Sequence, residues 1–213
     1  MNDGSSPDRA DLVLASASPR RRELLEQLGL LLQVTPANVD ETPLPGERPA
    51  EYVRRVAAAK CDAVAASRAV ELPALPTLAA DTIVIVDDLI LGQPRDDADA
   101  RRMLRLLAGR RHEVTTAYRI HHRGRTLDRA VSTIVSFRSL QPPEVDAYIA
   151  CDEWRGKAGG YAVQGRAGAF VTELRGSHTN VIGLPLAEVL ADLQALEALP
   201  AYPPPGFGVR SRL

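Results

Sequence analysis

The polar residues that stand out in this 213-residue chain are Ser16, Ser18, Arg20, Arg21, Asp40, Glu41, Lys60, Asp81, Lys157 and Gln164, and they carry both signs of charge. Cations alone would bind phosphate. Carboxylates that can hold Mg²⁺ or Mn²⁺ and activate water add the means to hydrolyse it, with the cations spreading charge in the transition state. The chain lacks GxxxxGK[ST], GxSxG and HExxH, and no His-Cys cluster has zinc spacing, so P-loop, nucleophile-elbow and zincin chemistry are set aside.

The elements that must position these groups begin at LVLASASPRRRELLEQL, Leu12 to Leu28. An apolar strand runs into Ser18, a good N-cap, and Pro19, which suits the first helical position; Gly29 is placed to end the helix. Such a helix start offers unpaired N–H groups and a positive dipole end to an anion. Arg20 and Arg21 lie one turn before Leu24 and Leu25, on the edge of the face to be buried, whereas Arg22 lines up with Glu26 as a surface pair. Two inward guanidiniums need an anionic partner, either a phosphate or an internal Asp or Glu.

A second short strand is expected at Leu30 to Thr35, then a Pro-punctuated loop bearing Asp40 and Glu41, then a helix from about Pro49. On that helix Lys60 shares a face with Val53, Val56, Ala57 and Val64. It either snorkels to solvent or points into a polar cleft. Leu75 to Leu91 reads as two strands joined at Asp87-Asp88, and Asp81 interrupts the first of them amid Leu78, Ala79, Ala80, Ile83 and Val84. A carboxylate there either binds a neighbouring loop or belongs to a functional site with cations from other segments.

A capped helix follows from Asp96 to Gly109, burying Met103, Leu104 and Leu107. Glu113 to Ile120 and Thr126 to Phe137 suggest a hairpin with His121 and His122 exposed at its tip, and Pro142 to Ala150 a short helix. The glycine-rich GKAGGYAVQGRAG, Gly156 to Gly168, lets backbone approach a ligand and carries Lys157 and Gln164. Ala169 to Leu174 reads as a strand, RGSHTN as a loop holding His178, and the last helix, from about Pro185, as burying Leu186, Val189, Leu190, Leu193 and Leu196. Met1 to Ala10 and Pro200 to Leu213 are expected to be flexible termini around a single domain over residues 11–199.

Composition narrows the function classes. A formal net charge of −1 provides no global field for nucleic acid or membrane, and 4% aromatic residues leave few stacking platforms for single strands. The two cysteines, Cys61 and Cys151, are far apart and no secretory signal precedes them, so a reduced, cytoplasmic setting is expected. No apolar run approaches the roughly 20 residues of a membrane helix, and a soluble chain is expected.

The motifs LASASPRRRELL, VDETP, AAAK, AADTIVIVDDLILGQP, GRRHEVTTAY, DEWRGKAGGYAVQG and GSHTNVIGLPL, in this order, resemble the Maf-type nucleoside triphosphate pyrophosphatases from about Leu12 to Leu193. The resemblance implies an α/β fold with an elongated, curved mixed sheet flanked by helices, two lobes and a central cleft, often in a homodimer. It implies hydrolysis of a nucleoside triphosphate between the α- and β-phosphates, with Mg²⁺ or Mn²⁺. Asp81 matches the catalytic base; Ser16, Arg20, Arg21, Lys60 and Lys157 match phosphate contacts; Glu41, with Asp81, matches the metal carboxylates. Arg20, Thr82 and Gln164 match the subgroup acting on dTTP and UTP, while a sister subgroup resembling 7-methyl-GTP pyrophosphatases has Gln after the catalytic Asp. Two positions depart from the pattern. Gln93 stands where the family has Lys, with Arg95 near enough in sequence to compensate, and Gly156 stands where it has Asp. These departures keep a catalytically weak nucleotide-binding regulator as the alternative.

Overall fold

Alternation along one strand, Thr77–Val86 (β3), organises the molecule, a computed structural model that describes residues 10–68 and 75–199. Leu78 and Ala80 enter one apolar cluster on one face, and Val84 and Val86 enter another on the same face. Ala79 and Ile83 enter two clusters on the opposite face. Period-2 geometry therefore leaves Thr82 between the two cores of the first face and Asp81 between those of the second. The readings for residues 1–9 and 200–213 fall outside the described residues.

Ahead of β3 the chain forms β1 (Leu12–Leu14), α1 (Pro19–Gln27), β2 (Leu32–Val34) and α2 (Pro49–Ser67). β1 runs parallel to both β2 and β3, which requires crossovers, and α1 and α2 supply them. After β3 come β4 (Leu89–Leu91), α3 (Asp97–Leu107), β5 (Arg111–His122), β6 (Arg125–Phe137), α4 (Pro142–Ile149), β7 (Val171–Arg175), α5 (His178–Ile182) and α6 (Leu186–Ala195). Pairing in this half is antiparallel, and the open mixed sheet of seven strands has the order β2-β1-β3-β5-β6-β7 with β4 on the end of β3. Helices flank this sheet, as the resemblance implies.

Several local readings hold. Asp87 and Asp88 take φ of 48° and 61°, the left-handed pair a two-residue hairpin turn demands. Asp96 Oδ1 accepts from the Asp99 N–H at 2.7 Å and caps α3. Gly29, at φ 80°, ends α1. Ser18 occupies the cap position of α1, but its side chain makes no capping bond; Ser16 Oγ accepts from the Ser18 N–H at 3.3 Å instead.

Other readings need correction. The β5–β6 hairpin turns on Arg123-Gly124 alone, so β5 runs on through both histidines; His122 pairs with Arg125 and is buried, and His121 is partly exposed. The segment expected to be a loop around His178 is the five-residue α5, because Ser177 Oγ accepts from the Asn180 N–H at 3.2 Å and starts a helical turn. The glycine-rich stretch contains 3₁₀ turns at Ala158–Gly160 and Arg166–Phe170, which delays β7 to Val171. On α6, Val189 and Leu193 are buried, but Leu186 and Leu190 only half so.

Candidate active site

β3 changes neighbours at its middle. On the side away from β5, β1 pairs with Thr77 and Leu78, and β4 pairs with Val84 to Val86. The interval between them, which includes Asp81 and Thr82, has no strand partner on that side, and a cavity of about 350 Å³ opens there. Clefts in α/β sheets form where the chain switches direction in this way.

One wall is built by α2 and β3. Lys60 Nζ donates to Asp81 Oδ1 at 2.9 Å and lies 3.0 Å from Glu41 Oε1. Lys60 and Asp81 are almost fully buried, whereas the Glu41 side chain is half exposed. The lysine therefore points into the polar cleft rather than to solvent. The second oxygen of Asp81 has no protein donor among the described residues.

The opposite wall is cationic. Arg21, buried in α1, donates through Nε to the Gly183 carbonyl at 2.8 Å, through Nη1 to Ser16 Oγ at 3.0 Å and through Nη2 to Thr82 Oγ1 at 3.0 Å. All three of its nitrogens are engaged by neutral groups, leaving two of its five N–H protons uncommitted. Arg20 reaches the Ile182 carbonyl at 3.3 Å and the Gly156 carbonyl at 3.2 Å, bridging the end of α5 to the glycine-rich loop. Lys157 lies on that loop and donates to the Arg155 carbonyl at 3.3 Å. Among the described residues Arg20, Arg21 and Lys157 form no ion pair, so the internal carboxylate partner weighed for the arginines is not what meets them. Burial lowers the proton affinity of all three, and Arg20 lowers that of both Arg21 and Lys157 further. An anion bound here would relieve both effects.

Gln164, Gln93 and Gly156 also line the cavity. Two sequence candidates do not. Asp40 is exposed and accepts from the Thr42 N–H at 2.8 Å, and Arg95 is exposed and turned towards Asp99 at 3.6 Å, so Arg95 does not stand in for a lysine at position 93. Two residues that sequence reasoning passed over support the site from behind. Thr116 on β5 and Asn180 on α5 are fully buried; Thr116 is bonded to Thr82 and to the Asn180 main-chain carbonyl. Asn180 was hidden by the reading of its segment as a loop.

Asp81 Oδ1 and Glu41 Oε1 converge on one point, now taken by the Lys60 ammonium. Among the described residues no three of His, Cys, Asp and Glu gather at a metal-binding position. Two carboxylates are too few for a closed protein cage and are what an ion that completes its shell with water and substrate phosphate would need from the protein.

An open mixed sheet flanked by helices, whose central strand carries a carboxylate into a cleft faced by cations with no ion pair among the described residues, defines the chain as a mixed α/β protein. The chain belongs to the Maf-like protein family, whose model matches residues 11–196. It is 53% identical over 187 residues to a dTTP/UTP pyrophosphatase of Anaeromyxobacter dehalogenans, covering 86% of this chain and 92% of that one. It is 51% identical over 187 residues to the protein of the same name from Sphingopyxis alaskensis, covering 87% and 96%. The Bordetella parapertussis dTTP/UTP pyrophosphatase is 49% identical over 201 residues, covering 92% and 97%. No helix among the described residues is long and apolar enough to cross a membrane.

Proposed function

We propose that this chain is a nucleoside triphosphate pyrophosphatase that hydrolyses dTTP and UTP between the α- and β-phosphates, giving the nucleoside monophosphate and pyrophosphate. The observation that carries the reading is the division of the cleft. Among the described residues Arg20 and Lys157 stand without carboxylate partners on one side, and Asp81 is held by Lys60 on the other. The relatives' names supply the substrate.

In this reading the triphosphate oxygens meet Arg20, Lys157, the Ser16 hydroxyl, Lys60 and the two uncommitted N–H groups of Arg21. Lys60 fixes the Asp81 carboxylate through Oδ1, and the second oxygen takes the proton of a water that attacks the α-phosphorus. The bond from that phosphorus to the bridging oxygen breaks, and pyrophosphate leaves with the bond's electron pair. A divalent cation would be held by Glu41 and Asp81 beside the Lys60 ammonium, and when bound it would supply charge neutralisation on the phosphate oxygens. Arg20, Thr82 and Gln164 select the base. Gln93 leaves one cation fewer in the cleft than Lys would, which lowers affinity without touching the water-activating group.

The test is pyrophosphate release from a panel of triphosphates with Mg²⁺ or Mn²⁺, repeated with Asp81→Asn. Turnover of dTTP and UTP, reduced at least about 10²-fold in the variant, is expected. Tight nucleotide binding without turnover, or full activity in Asp81→Asn, refutes it.

A further inference from the structure

The Thr82 hydroxyl is the end of a chain of bonds whose direction the structure dictates. A hydroxyl has one proton to give and two lone pairs to receive with. Arg21 Nη2 can only donate, so Thr82 Oγ1 accepts from it at 3.0 Å. Thr82 Oγ1 and Thr116 Oγ1 lie 2.8 Å apart, and by themselves either could donate. Thr116, however, donates to the Asn180 main-chain carbonyl at 3.1 Å, and that carbonyl can only accept. Having spent its proton there, Thr116 must receive the proton of Thr82.

The far end of the chain cannot turn away to release this order. Asn180 is fully buried, and its Nδ2 donates to the Val114 carbonyl and to Thr133 Oγ1, both at 3.0 Å. The other acceptor near Thr82, the Gly183 carbonyl, is 3.5 Å away and already receives Arg21 Nε at 2.8 Å. Thr82 therefore keeps one lone pair and no proton for anything that enters the cleft.

We infer that Thr116 is a positioning residue which, through the Asn180 carbonyl, fixes the Thr82 hydroxyl as a hydrogen-bond acceptor, so that the site takes a pyrimidine bearing a ring N3–H and disfavours one bearing a ring N3 lone pair. The inference rests on Thr82 facing the base, as proposed above, and it adds the sense of the bond and two residues that never touch substrate. Uracil and thymine carry the N3 proton. Cytosine presents a lone pair at the same atom, and two acceptors facing each other leave both unpaired, which is how a polar site rejects a close analogue.

The test compares affinities for the α,β-methylene analogues of UTP and CTP by calorimetry, so discrimination is read without turnover. The wild-type chain is expected to favour the uracil analogue. Thr116→Val keeps the shape and removes the acceptor for Thr82's proton, and it should narrow the preference about tenfold by freeing that proton for cytosine N3. Thr116→Ser restores the hydroxyl and should restore the preference. If Thr116→Val does not fold, Thr116→Ala carries the same comparison. A variant that weakens both analogues equally, or a wild-type chain with no uracil preference, overturns the inference. A wild-type chain that binds the uracil analogue preferentially but does not hydrolyse UTP overturns the pyrophosphatase reading and leaves this one standing.

Discussion

Removal of the Lys60 ammonium separates what the lysine does for folding from what it does for chemistry. In Lys60→Met the Asp81 carboxylate, only 8% exposed, loses its one ion-pair partner among the described residues. A buried charge stripped of its partner costs 3–5 kcal/mol, and about 3 kcal/mol is expected here because the cleft lets in water. The reverse deletion is milder. In Asp81→Asn, Lys60 keeps Glu41 at 3.0 Å, and this second carboxylate is half exposed, so about 1 kcal/mol is expected. The double variant buries no charge in the pair and should be more stable than Lys60→Met alone, with a coupling of about 2 kcal/mol. Urea unfolding of the four proteins, extrapolated to water, measures the cycle. Pyrophosphate release from UTP on the same samples should fall at least about 10²-fold in both single variants and not recover in the double. Additive stabilities, or an active double variant, would show that Lys60 and Asp81 do not act as a pair.

Three further outcomes follow from single features. Gly159 takes φ +69°, and a Cβ there would lie 2.9 Å from Val84 Cγ2; Gly159→Ala should cost about 2–3 kcal/mol, seen as a lower melting temperature, and should weaken nucleotide binding because Lys157 lies two residues away. Burial pushes the His112 imidazole from 6.5 down to about 4. The folded chain then binds fewer protons than the unfolded one between these values, so this contribution to stability is complete above pH 6.5 and is lost as pH falls towards 4, by up to about 3 kcal/mol. Urea midpoints across that range should decline less steeply in His112→Phe. Arg21→Lys keeps the charge but cannot reach Gly183, Ser16 and Thr82 together, and a loss of about 2 kcal/mol in urea unfolding with weaker UTP binding is expected.

What the sequence made legible was what depends on period. β3 faces two ways over ten residues of mostly apolar side chains, so the carboxylate of Asp81 stands out, and Lys60 shares a helical face with valines that have to be buried. What it concealed depends on tertiary contact or on segments too short to repeat. A five-residue helix has barely one turn, so α5 looked like the loop its Gly, Ser and Asn suggested, and Asn180 went with it. The β5–β6 strands run on to a two-residue turn because neighbouring pairs continue the ladder, which no local signal at His121-His122 announces. Proximity in sequence also misled at Arg95, whose helix-start partner Asp99 draws it away from the cleft.

The adjacency of Asp81 and Thr82 accounts for how one strand serves two tasks. Successive strand residues face opposite ways, so Asp81 meets α2 and the lysine, while Thr82 meets α1, α5 and the arginine. β5 pairs with both residues on one side, and neither can shift without the other. In the proposed reading, the group that activates water and the group that reads the base are thus held on one rigid backbone. Selectivity can then change through what lies behind Thr82 while Asp81 stays in place. Thr116 and Asn180 are bonded on the Thr82 side alone, whereas Arg21 also grips Ser16. Substitutions at Thr116 should therefore move base preference with little change in the rate on a good substrate, and substitutions at Arg21 should move both.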